Sequence, residues 1–565
     1  MCGIWYYLSK TSDINDAKNK YAYYYNKLKH RGPDKTRITE VDNTLSVFHR
    51  LSINDLSDEA CMPFELDGIY LICNGEIYNH KELEEKYNFT TKTTCDCEVI
   101  LHLYKKYSKI EKNSYLVANN ICNELDGEYS FILYDSNNKK LLIARDEYGV
   151  RPLFIGIKRN FYDSLININS DYNDIIFSSE LKGINDAEYH TQQFKSGYYM
   201  VIDTQQLKIL DYQLYRDDIT IYDKLKFNND TQEIILKKIR EKLEKAVEKR
   251  IKNSDRKVAC LLSGGLDSSL ICAIASKYFE PYTLETYSIG VEGSPDLIAA
   301  QKVADHIKSK HTSIIVTQQE MLDAIPEVIK TIESYDITTV RASVPNYLLV
   351  HYILKKSDAK VILSGEYSDE VFLSYIYCKY IKDPKLFYQE EARLINEIQF
   401  FDSLRADRCI SSASLEARVP FSDREFVKYI MEIQPLIKMP YMYNNIEKYL
   451  LRKAFDDNEK TLPNEILWRT KNGFSDSITK KTQSWYEIIQ EYIETQINDE
   501  EFTKNKSKYT HIEIPNKEAY YYIKVFKQYY HNEAIIPYYW LPRNSEGKIF
   551  TQNPSARALI DIFDD

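Results

Sequence analysis

The segment from Lys257 to Ser269 constrains the fold more strongly than any other part of the chain. Apolar residues 258–262 predict a buried β-strand, and the Ser263-Gly264-Gly265 turn leads into a helix that we expect over residues 269–278. A strand joined to a helix in this way is typical of an α/β domain with a parallel sheet. The turn points backbone N–H groups and the positive end of the helix at an anion. The segment therefore predicts a phosphate site in an α/β domain.

The residues of this turn limit the kind of phosphate chemistry. The string at residues 263–268 lacks the Gly-Lys-Ser/Thr ending of a Walker A loop, which argues against a kinase or GTPase site. It resembles the pyrophosphate loop of enzymes that split ATP into AMP and pyrophosphate. Asp267 would then be a Mg²⁺ ligand, because Mg²⁺ usually takes one or two carboxylates together with phosphate oxygens.

A second strand end offers further carboxylates. Residues 361–363 predict a strand, and Ser364, Gly365, Glu366 and Asp369 follow it closely. Because ligands bind beyond the carboxyl ends of strands in open α/β sheets, we expect the two loops to line one crevice. Acidic residues are also common at helix N-termini, so a purely structural role stays open for this second segment taken alone.

The opening residues carry a possible nucleophile, because Cys2 becomes the N-terminal residue once Met1 is trimmed. An α-amine titrates near ~8 and a thiol near ~8.5, so the amine could take the thiol proton at neutral pH. On position alone, a second residue without any chemical role is the alternative.

The pattern of apolar and polar residues changes near residue 217. Short apolar runs before it, separated by turn signals, predict a layered β-rich domain with few helices; they lie at residues 69–73, 129–134, 141–144, 175–178 and 198–202. A polar segment at residues 217–230 resembles a linker. Helical periodicity over residues 233–251 then opens a region in which helices alternate with strands, as in an α/β domain.

Composition excludes several classes of function. The 565 residues carry a net charge of −10 and no basic run, which argues against nucleic-acid binding. We find no signal peptide and no apolar stretch that could span a membrane, so we expect a soluble, cytoplasmic protein. Ten cysteines in a chain of this length predict reduced thiols, and Cys95-Asp96-Cys97 is too isolated to predict a zinc site.

Further motifs carry a resemblance that spans nearly the whole chain. With Cys2 and the two loops, they resemble the glutamine-hydrolysing asparagine synthetases. In the N-terminal half they are HRGPD at 30–34, HRLSI at 49–53, NGEIYN at 74–79, DCEVI at 96–100, LDG at 125–127 and ARD at 144–146. In the C-terminal half they are GSPDL at 293–297, TTVRAS at 338–343, EARVPF at 416–421 and EKYLLR at 447–452.

For residues 2–215, the resemblance implies a class II glutamine amidotransferase domain with the α/β/β/α layers of an N-terminal nucleophile hydrolase. Cys2 would attack the glutamine amide, while Asn74 and Gly75 form the oxyanion hole. Arg50 would hold the substrate α-carboxylate and Asp96 its α-ammonium group. Taken alone, either residue would equally suit a surface ion pair or a helix cap. The other glutamine-binding residues implied are Leu51, Ser52, Ile53, Asn54 and Glu76.

For residues 232–545, the resemblance implies an α/β ATP-pyrophosphatase domain with a parallel sheet. Glu366 and Lys448 would form the β-aspartyl-AMP intermediate and bring ammonia to it. Asp267 and Asp369 would hold Mg²⁺. The implied aspartate site contains Thr338 and Arg341. The implied ATP contacts are Leu261, Ser263, Gly264, Gly265, Asp267, Ser268, Ile289, Ser364 and Gly365.

The implied reaction converts ATP, L-aspartate, L-glutamine and water into AMP, diphosphate, L-asparagine and L-glutamate, with ammonia passing inside the protein. The resemblance also implies a homodimer. A ligase that acts on another carboxylate, such as a β-lactam synthetase-like protein, is one alternative. A non-catalytic or ammonia-sensing protein that kept the fold is the other.

Two segments near the second ATP loop depart from the family pattern, and Lys195-Ser196-Gly197 replaces a more usual Pro-Pro-Gly as a minor loop change. Tyr367 stands where the family usually has glycine, and Leu373-Ser374-Tyr375 stands where it usually has Gly-Gly-Tyr. Either the backbone at Tyr367 is not left-handed or strain is tolerated there, and the ring would crowd the pyrophosphate.

Overall fold

Two antiparallel sheets form the N-terminal half of the protein. The computed structural model describes residues 1–111, 113–158, 172–216, 219, 222, 226–458, 460–470, 478–479, 483–543 and 547–555. In chain order, the strands of this half are β1 (Gly3–Ser9), β2 (Lys35–Val41), β3 (Thr44–Arg50), β4 (Phe64–Leu66), β5 (Ile69–Ile77), β6 (Gly127–Asp135), β7 (Lys140–Arg145), β8 (Phe154–Lys158), β9 (Asp174–Ser178), β10 (His190–Gln193), β11 (Tyr198–Asp203) and β12 (Lys208–Leu214).

The strand order within the described residues is β10-β8-β9-β1-β3-β2 in one sheet and β12-β11-β7-β6-β5-β4 in the other. All of the predicted strands of this half are confirmed, as β5, β6, β7, β9 and β11. Five helices of this part of the structure cover the outer faces: α1 (Ile14–Lys20), α2 (Ala22–Asn26), α3 (His80–Tyr87), α4 (Val99–Ile110) and α5 (Ser114–Glu124).

Side-chain alternation along β1 explains the layering. Ile4, Tyr6 and Leu8 belong to the apolar core that β1 shares with the second sheet, whereas Trp5 and Tyr7 belong to a core that includes residues of α1 and α2. Neighbouring residues of a strand point to opposite faces, so both faces of β1 are buried. On the far side, α4 packs on β5 and α5 packs on β11. The predicted α/β/β/α sandwich is confirmed.

A parallel sheet forms the centre of the C-terminal half. Its strands among the described residues are β13 (Val258–Leu261), β14 (Glu285–Gly290), β15 (Lys310–Ile315), β16 (Val361–Leu363) and β17 (Glu416–Arg418), in the order β15-β14-β13-β16-β17. Every neighbouring pair in this sheet is parallel. The predicted α/β class and the predicted strands at 258–262 and 361–363 are confirmed.

The helices of the C-terminal half pack around this sheet. Those described are α6 (Gln232–Lys252), α7 (Leu266–Ser276), α8 (Pro295–Ile307), α9 (Gln318–Ile332), α10 (Ile337–Lys356), α11 (Ser368–Val371), α12 (Pro384–Glu397), α13 (Asp402–Ser412), α14 (Arg424–Glu432), α15 (Pro435–Lys438), α16 (Tyr449–Ala454), α17 (Asn464–Leu467), α18 (Trp485–Gln496), α19 (Asp499–Asn505) and α20 (Lys517–Phe526). Much of the predicted linker at 217–230 lies outside the described residues. No helix in the described ranges is long and apolar enough to cross a membrane.

The register of the parallel sheet sets two loops side by side. Cys260 of β13 pairs with Leu363 of β16, so both strands end at the same edge of the sheet. The loops that follow touch, because a Cβ added to Gly365 would lie 2.6 Å from the backbone nitrogen of Ser268. The sheet therefore places the two predicted ATP loops around one crevice, as ligand sites in α/β folds require.

Buried ion pairs join the two halves. Arg31 of the N-terminal half donates to Asp407 of α13 at 2.7 Å. Arg418, at the end of β17, lies 3.0 Å from Glu76 of β5. Buried charges are tolerated when each has a partner, so separating the halves would leave costly unpaired charges.

Candidate active sites

Cys2 lies at the edge of a cleft that both halves of the protein line. The thiol donates to the carbonyl oxygen of Leu51 at 3.7 Å, and Cys2 is partly exposed. Burial of the sulfur raises the pKa of the thiol to about 11. The thiolate is therefore rare at neutral pH, and attack on a substrate requires a base that takes the thiol proton.

The N-terminal amine lies beside this thiol, in contact with the C-terminal half. Met1 is buried, and its amine lies 2.7 Å from the carboxylate of Glu416, which lines the Cys2 cleft. Burial disfavours a charged Glu416, but the Met1 amine and Arg418 hold the pKa of that carboxyl well below its usual range. The start of the chain is thus fixed by a residue of β17.

Asn74, next to the cleft-lining residue Gly75, carries a side-chain donor that no group in the described residues uses. The backbone N–H of Cys2 donates to Asn74 Oδ1 at 2.8 Å, and Asn74 is fully buried. Its Nδ2 has no hydrogen-bond partner among the described residues. Gly75 follows on β5, where a Cβ would lie 2.4 Å from the carbonyl oxygen of Glu128. Only glycine allows this close pairing, which holds Asn74 next to Cys2.

The other predicted glutamine ligands are mostly in this cleft. Arg50, Leu51, Ile53, Asn54, Gly75, Glu76 and Asp96 all line it. Ser52 is not among the lining residues: its N–H donates to Asp34 and its carbonyl accepts from Arg256. Arg50 donates to the carbonyl oxygens of Asp55 and Ser57, and one oxygen of Asp96 accepts from the Ile77 N–H. The cleft thus offers a cation and a carboxylate, the pair that a free amino acid requires.

The second site is the crevice between the two ATP loops. Leu261, Ser263, Gly265, Asp267, Ser268, Ile289, Thr338, Ser364, Gly365, Glu366 and Asp369 line it. Gly264 lies behind the loop, with a φ of 76° and a Cβ position 2.5 Å from the backbone nitrogen of Ala300. The turn therefore requires glycine there, both for the left-handed backbone and for the close approach of α8.

Lys448 bridges the two predicted metal carboxylates. Its Nζ lies 2.6 Å from Asp267 and 2.5 Å from Asp369. Burial disfavours the charged lysine, but the two carboxylates outweigh this effect and raise the pKa of Lys448 above its usual range. The sequence alone predicts a solvated helix lysine at Lys448, whereas the structure buries it against two carboxylates that line the crevice.

Glu366 is held by an arginine that the sequence analysis did not identify. Arg405 of α13 donates to both carboxylate oxygens of Glu366, each at 2.7 Å. Burial raises the pKa of Glu366, which Arg405 partly counteracts. Arg405 lies far from Glu366 in sequence, and only the fold brings the two residues together.

The predicted aspartate residues separate in space. Thr338 lines the crevice and donates to the carbonyl oxygen of Trp540 at 3.2 Å. Arg341 is not among the residues that line it. Its buried guanidinium donates to both oxygens of Glu518, at 2.8 and 2.6 Å. Arg341 follows Thr338 by three residues on α10, and its longer side chain reaches Glu518 of α20.

Tyr367 adopts the backbone conformation that favours glycine. Its φ is 77°, so the expectation of strain is confirmed and the alternative of an ordinary backbone is wrong. The side chain is 3% exposed, and its hydroxyl contacts Ser403 of α13. The ring lines the crevice and belongs to an apolar cluster that includes Tyr148 and Val150 of the N-terminal half. Tyr367 thus combines a strained backbone with a side chain in an apolar cluster that spans both halves of the protein.

The second departure from the family pattern also touches the site. Leu373 is left-handed, with a φ of 42°, and Leu373 is completely buried. The hydroxyl of Ser374 donates to Asp369 Oδ1 at 2.6 Å. A hydroxyl thus helps to orient one of the two carboxylates that face Lys448.

Comparisons with known proteins agree with this geometry. A family model described as a glutamine amidotransferase domain matches residues 1–232, and one described as asparagine synthase matches residues 238–393 and 379–532. Glutamine-hydrolysing asparagine synthetases from Cricetulus griseus, Gallus gallus and Homo sapiens are each 38% identical to the chain, over 99% of its length and 98% of theirs. With the two-sheet sandwich, the parallel sheet and both clefts in place, the chain belongs to the family of glutamine-hydrolysing asparagine synthetases.

Proposed function

We propose that the protein forms L-asparagine from L-aspartate, with L-glutamine as nitrogen donor and ATP as energy source. AMP, diphosphate and L-glutamate are the other products. The observation that carries the proposal is the contact of the Cys2 N–H with Asn74 Oδ1. In this arrangement Asn74 Nδ2 has no hydrogen-bond partner among the described residues. The neighbouring Cys2 is partly exposed, whereas the other described cysteines of the cleft are buried.

In the first half-reaction, Cys2 Sγ attacks the side-chain amide carbon of glutamine. Asn74 Nδ2 and the Gly75 N–H donate to the developing oxyanion, a contribution of about 3 kcal/mol per donor. After removal of Met1, the nitrogen that contacts Asn74 Oδ1 is a free amine. It takes the thiol proton and passes it to the departing ammonia. Water then hydrolyses the thioester and releases glutamate.

Arg50 and Asp96 position the substrate for this attack. Both line the Cys2 cleft. Arg50 is suited to the α-carboxylate, because its local hydrogen bonds are to carbonyl oxygens. Asp96 accepts from the Ile77 N–H at Oδ2 and from the Cys95 thiol at Oδ1, and these contacts fix its carboxylate for the ammonium group of the substrate.

In the second half-reaction, the β-carboxylate of aspartate attacks the α-phosphorus of ATP and diphosphate departs. The backbone of the Ser263 loop and the start of α7 hold the phosphates. The carboxylates of Asp267 and Asp369 face one cation, Lys448, and such hard oxygen donors also fit Mg²⁺. Bound Mg²⁺ would neutralise phosphate charge and free Lys448 to contact phosphate or acyl oxygens.

Ammonia then displaces AMP from the activated aspartate. Glu366 is the base that takes a proton from the incoming ammonia, and its raised pKa suits this role. Arg405 fixes its orientation through two hydrogen bonds. β17 connects the two sites: Glu416 lines the Cys2 cleft, and the carbonyl of Arg418 accepts from the N–H of Ser364.

One observation favours a second candidate. Arg341 is engaged by Glu518, which leaves no role for it at the α-carboxylate of aspartate. With Tyr367 also lining the crevice, the alternative is an amide ligase that uses the same two half-reactions on another carboxylate.

The deciding experiment measures asparagine and diphosphate formed from aspartate and Mg-ATP, with either glutamine or ammonium, while glutamate release is followed in parallel. Asparagine equal to diphosphate supports the synthetase. Glutamate without asparagine refutes it, and diphosphate formation is then screened with other carboxylates.

We also propose domain bounds of 2–215 and 232–545, a homodimer and a cytoplasmic location. The bounds are supported by the end of β12 at Leu214 and the start of α6 at Gln232. The dimer rests on the family resemblance and is tested by light scattering of the purified protein.

A further inference from the structure

Three thiols and a carboxylate meet on the wall of the Cys2 cleft. The ligand atoms of Cys95, Asp96 and Cys97 all lie within 4.8 Å of one another. The thiol of Cys73, on β5, interacts with the thiol of Cys97. All three cysteines are buried, and all four residues line the cleft. We call these four residues the thiol cluster.

The sequence analysis predicted no zinc site at Cys95-Asp96-Cys97, whereas the structure brings the ligand atoms of these three residues together, with Cys73 beside Cys97. A fourth candidate group, Cys73, comes from β5, immediately before Asn74 in sequence, and interacts with Cys97. Sequence spacing could not reveal it, because the loop that carries Cys95 and Cys97 folds back against the end of β5.

Backbone contacts hold the thiol cluster in place. Cys97 Sγ lies 3.5 Å from the carbonyl oxygen of Gly75, and Cys95 Sγ lies 3.7 Å from Asp96 Oδ1. Glu98 fixes the loop by accepting from the N–H groups of Lys92 and Thr93. The Cys97 thiol is thus held against the main chain of β5, and Glu98 fixes the loop that carries Cys95 and Cys97.

We propose that the thiol cluster binds a thiophilic divalent cation such as Zn²⁺, and that the bound cation blocks the use of glutamine. Three sulfurs and one carboxylate oxygen match the four-coordinate preference of Zn²⁺. At Zn–S distances of about 2.3 Å, tetrahedral ligand atoms lie about 3.8 Å apart, so Cys95, Asp96 and Cys97 need adjustments of roughly 1 Å. Cys73 must move toward these three groups to complete the site. Each binding thiol gives its proton to solvent.

The inhibitory effect rests on the function proposed for Asp96. An Asp96 oxygen bound to the cation is no longer available to the ammonium group of glutamine, and the cation repels that group. The ATP crevice has a separate set of lining residues, so ammonia-dependent synthesis continues. The expected result is selective loss of the glutamine reaction.

The binding test uses the full chain with Cys2→Ala, because Cys2 itself would bind the metal. Titration with Zn²⁺ should show one equivalent bound, and Co²⁺ should give thiolate-to-metal charge-transfer absorption. Adding Cys95→Ser and Cys97→Ser should weaken binding by at least tenfold. Cys122→Ser, at a buried cysteine of α5 outside the cleft, is the matched control and should leave binding unchanged.

Two outcomes of this titration would overturn the proposed metal site. Absence of Zn²⁺ binding to the Cys2→Ala protein overturns the site, as does binding that Cys95→Ser and Cys97→Ser leave intact. If the double variant does not fold, Cys95→Ser alone serves, because it removes one ligand at nearly constant size.

The functional test compares glutamine- and ammonium-dependent asparagine formation at buffered free Zn²⁺ with excess Mg-ATP. Glutamine use should fall at least tenfold while ammonium use is retained, and Cys95→Ser should remove most of this sensitivity. Equal sensitivity of the two proteins would mean that Zn²⁺ acts at Cys2 and overturns the inhibition. The Zn²⁺ titration requires no turnover, so failure of the proposed function would be seen separately, as absent asparagine in metal-free assays.

Discussion

Replacing Tyr367 with glycine tests whether packing or backbone strain dominates at the position where the chain departs from its family. The Tyr367 side chain, which this change removes, is 3% exposed, and the backbone at this position is left-handed. Loss of a buried aromatic ring costs about 3–5 kcal/mol. Relief of the left-handed conformation returns about 1–2 kcal/mol. We therefore expect Tyr367→Gly to destabilise the protein by about 2 kcal/mol, although glycine is the usual family residue.

Scanning calorimetry measures this effect as a fall in Tm of roughly 4 °C. Tyr367→Phe is the matched control: it keeps the ring, loses only the hydroxyl contact with Ser403, and should cost about 1 kcal/mol. We also expect Tyr367→Gly to release more glutamate per asparagine, because the ring packs with residues of both halves and its loss opens the interface. A Tm that rises with glycine would refute the reasoning, since strain would then outweigh packing.

Other predictions test individual groups. Cys2→Ala should abolish glutamine use and keep ammonium-dependent synthesis; equal loss of both activities would contradict the division of labour between the sites. Asn74→Ala should lower kcat for glutamine hydrolysis by about 100-fold with little change in KM, as steady-state kinetics will show. Arg405→Gln should raise the pKa of Glu366 further, so the acid limb of the ammonium-dependent rate profile moves to higher pH; an unmoved limb would exclude Glu366 as the base. Burial lowers the pKa of His311 from 6.5 to about 4, so the unfolded state binds the proton first as pH falls. The free energy of unfolding should therefore be unaffected by His311 above pH 6.5 and should fall by about 3 kcal/mol between pH 6.5 and pH 4. Urea unfolding of the His311→Asn variant should show a flatter pH dependence than that of the unchanged protein.

The sequence predicted the strands well, because apolar runs bounded by turn residues are local signals. It ended the run at residues 69–73, whereas β5 continues to Ile77. Asn74, Gly75 and Glu76 resemble a turn in sequence. Pairing with β6 keeps them in the sheet, and that pairing is a long-range contact.

Site residues were predictable where a motif carried them and not where only the fold brings them together. The two ATP loops lie side by side as expected, because parallel strands end at one edge of a sheet. Arg405 and the thiol cluster were missed, since each depends on contacts between distant segments. For Arg341, the matching motif did not reveal that α20 supplies Glu518 as its partner, and its role at the aspartate site stays a prediction.

The burial of Met1 has a consequence for the order of events during synthesis. Met1 is 1% exposed and its amine is covered by Glu416, a residue made long after the first domain has left the ribosome. A peptidase that frees Cys2 has better access to Met1 before β17 covers it. Removal of Met1 should therefore be fastest before the second domain docks, and slower from the folded full-length chain.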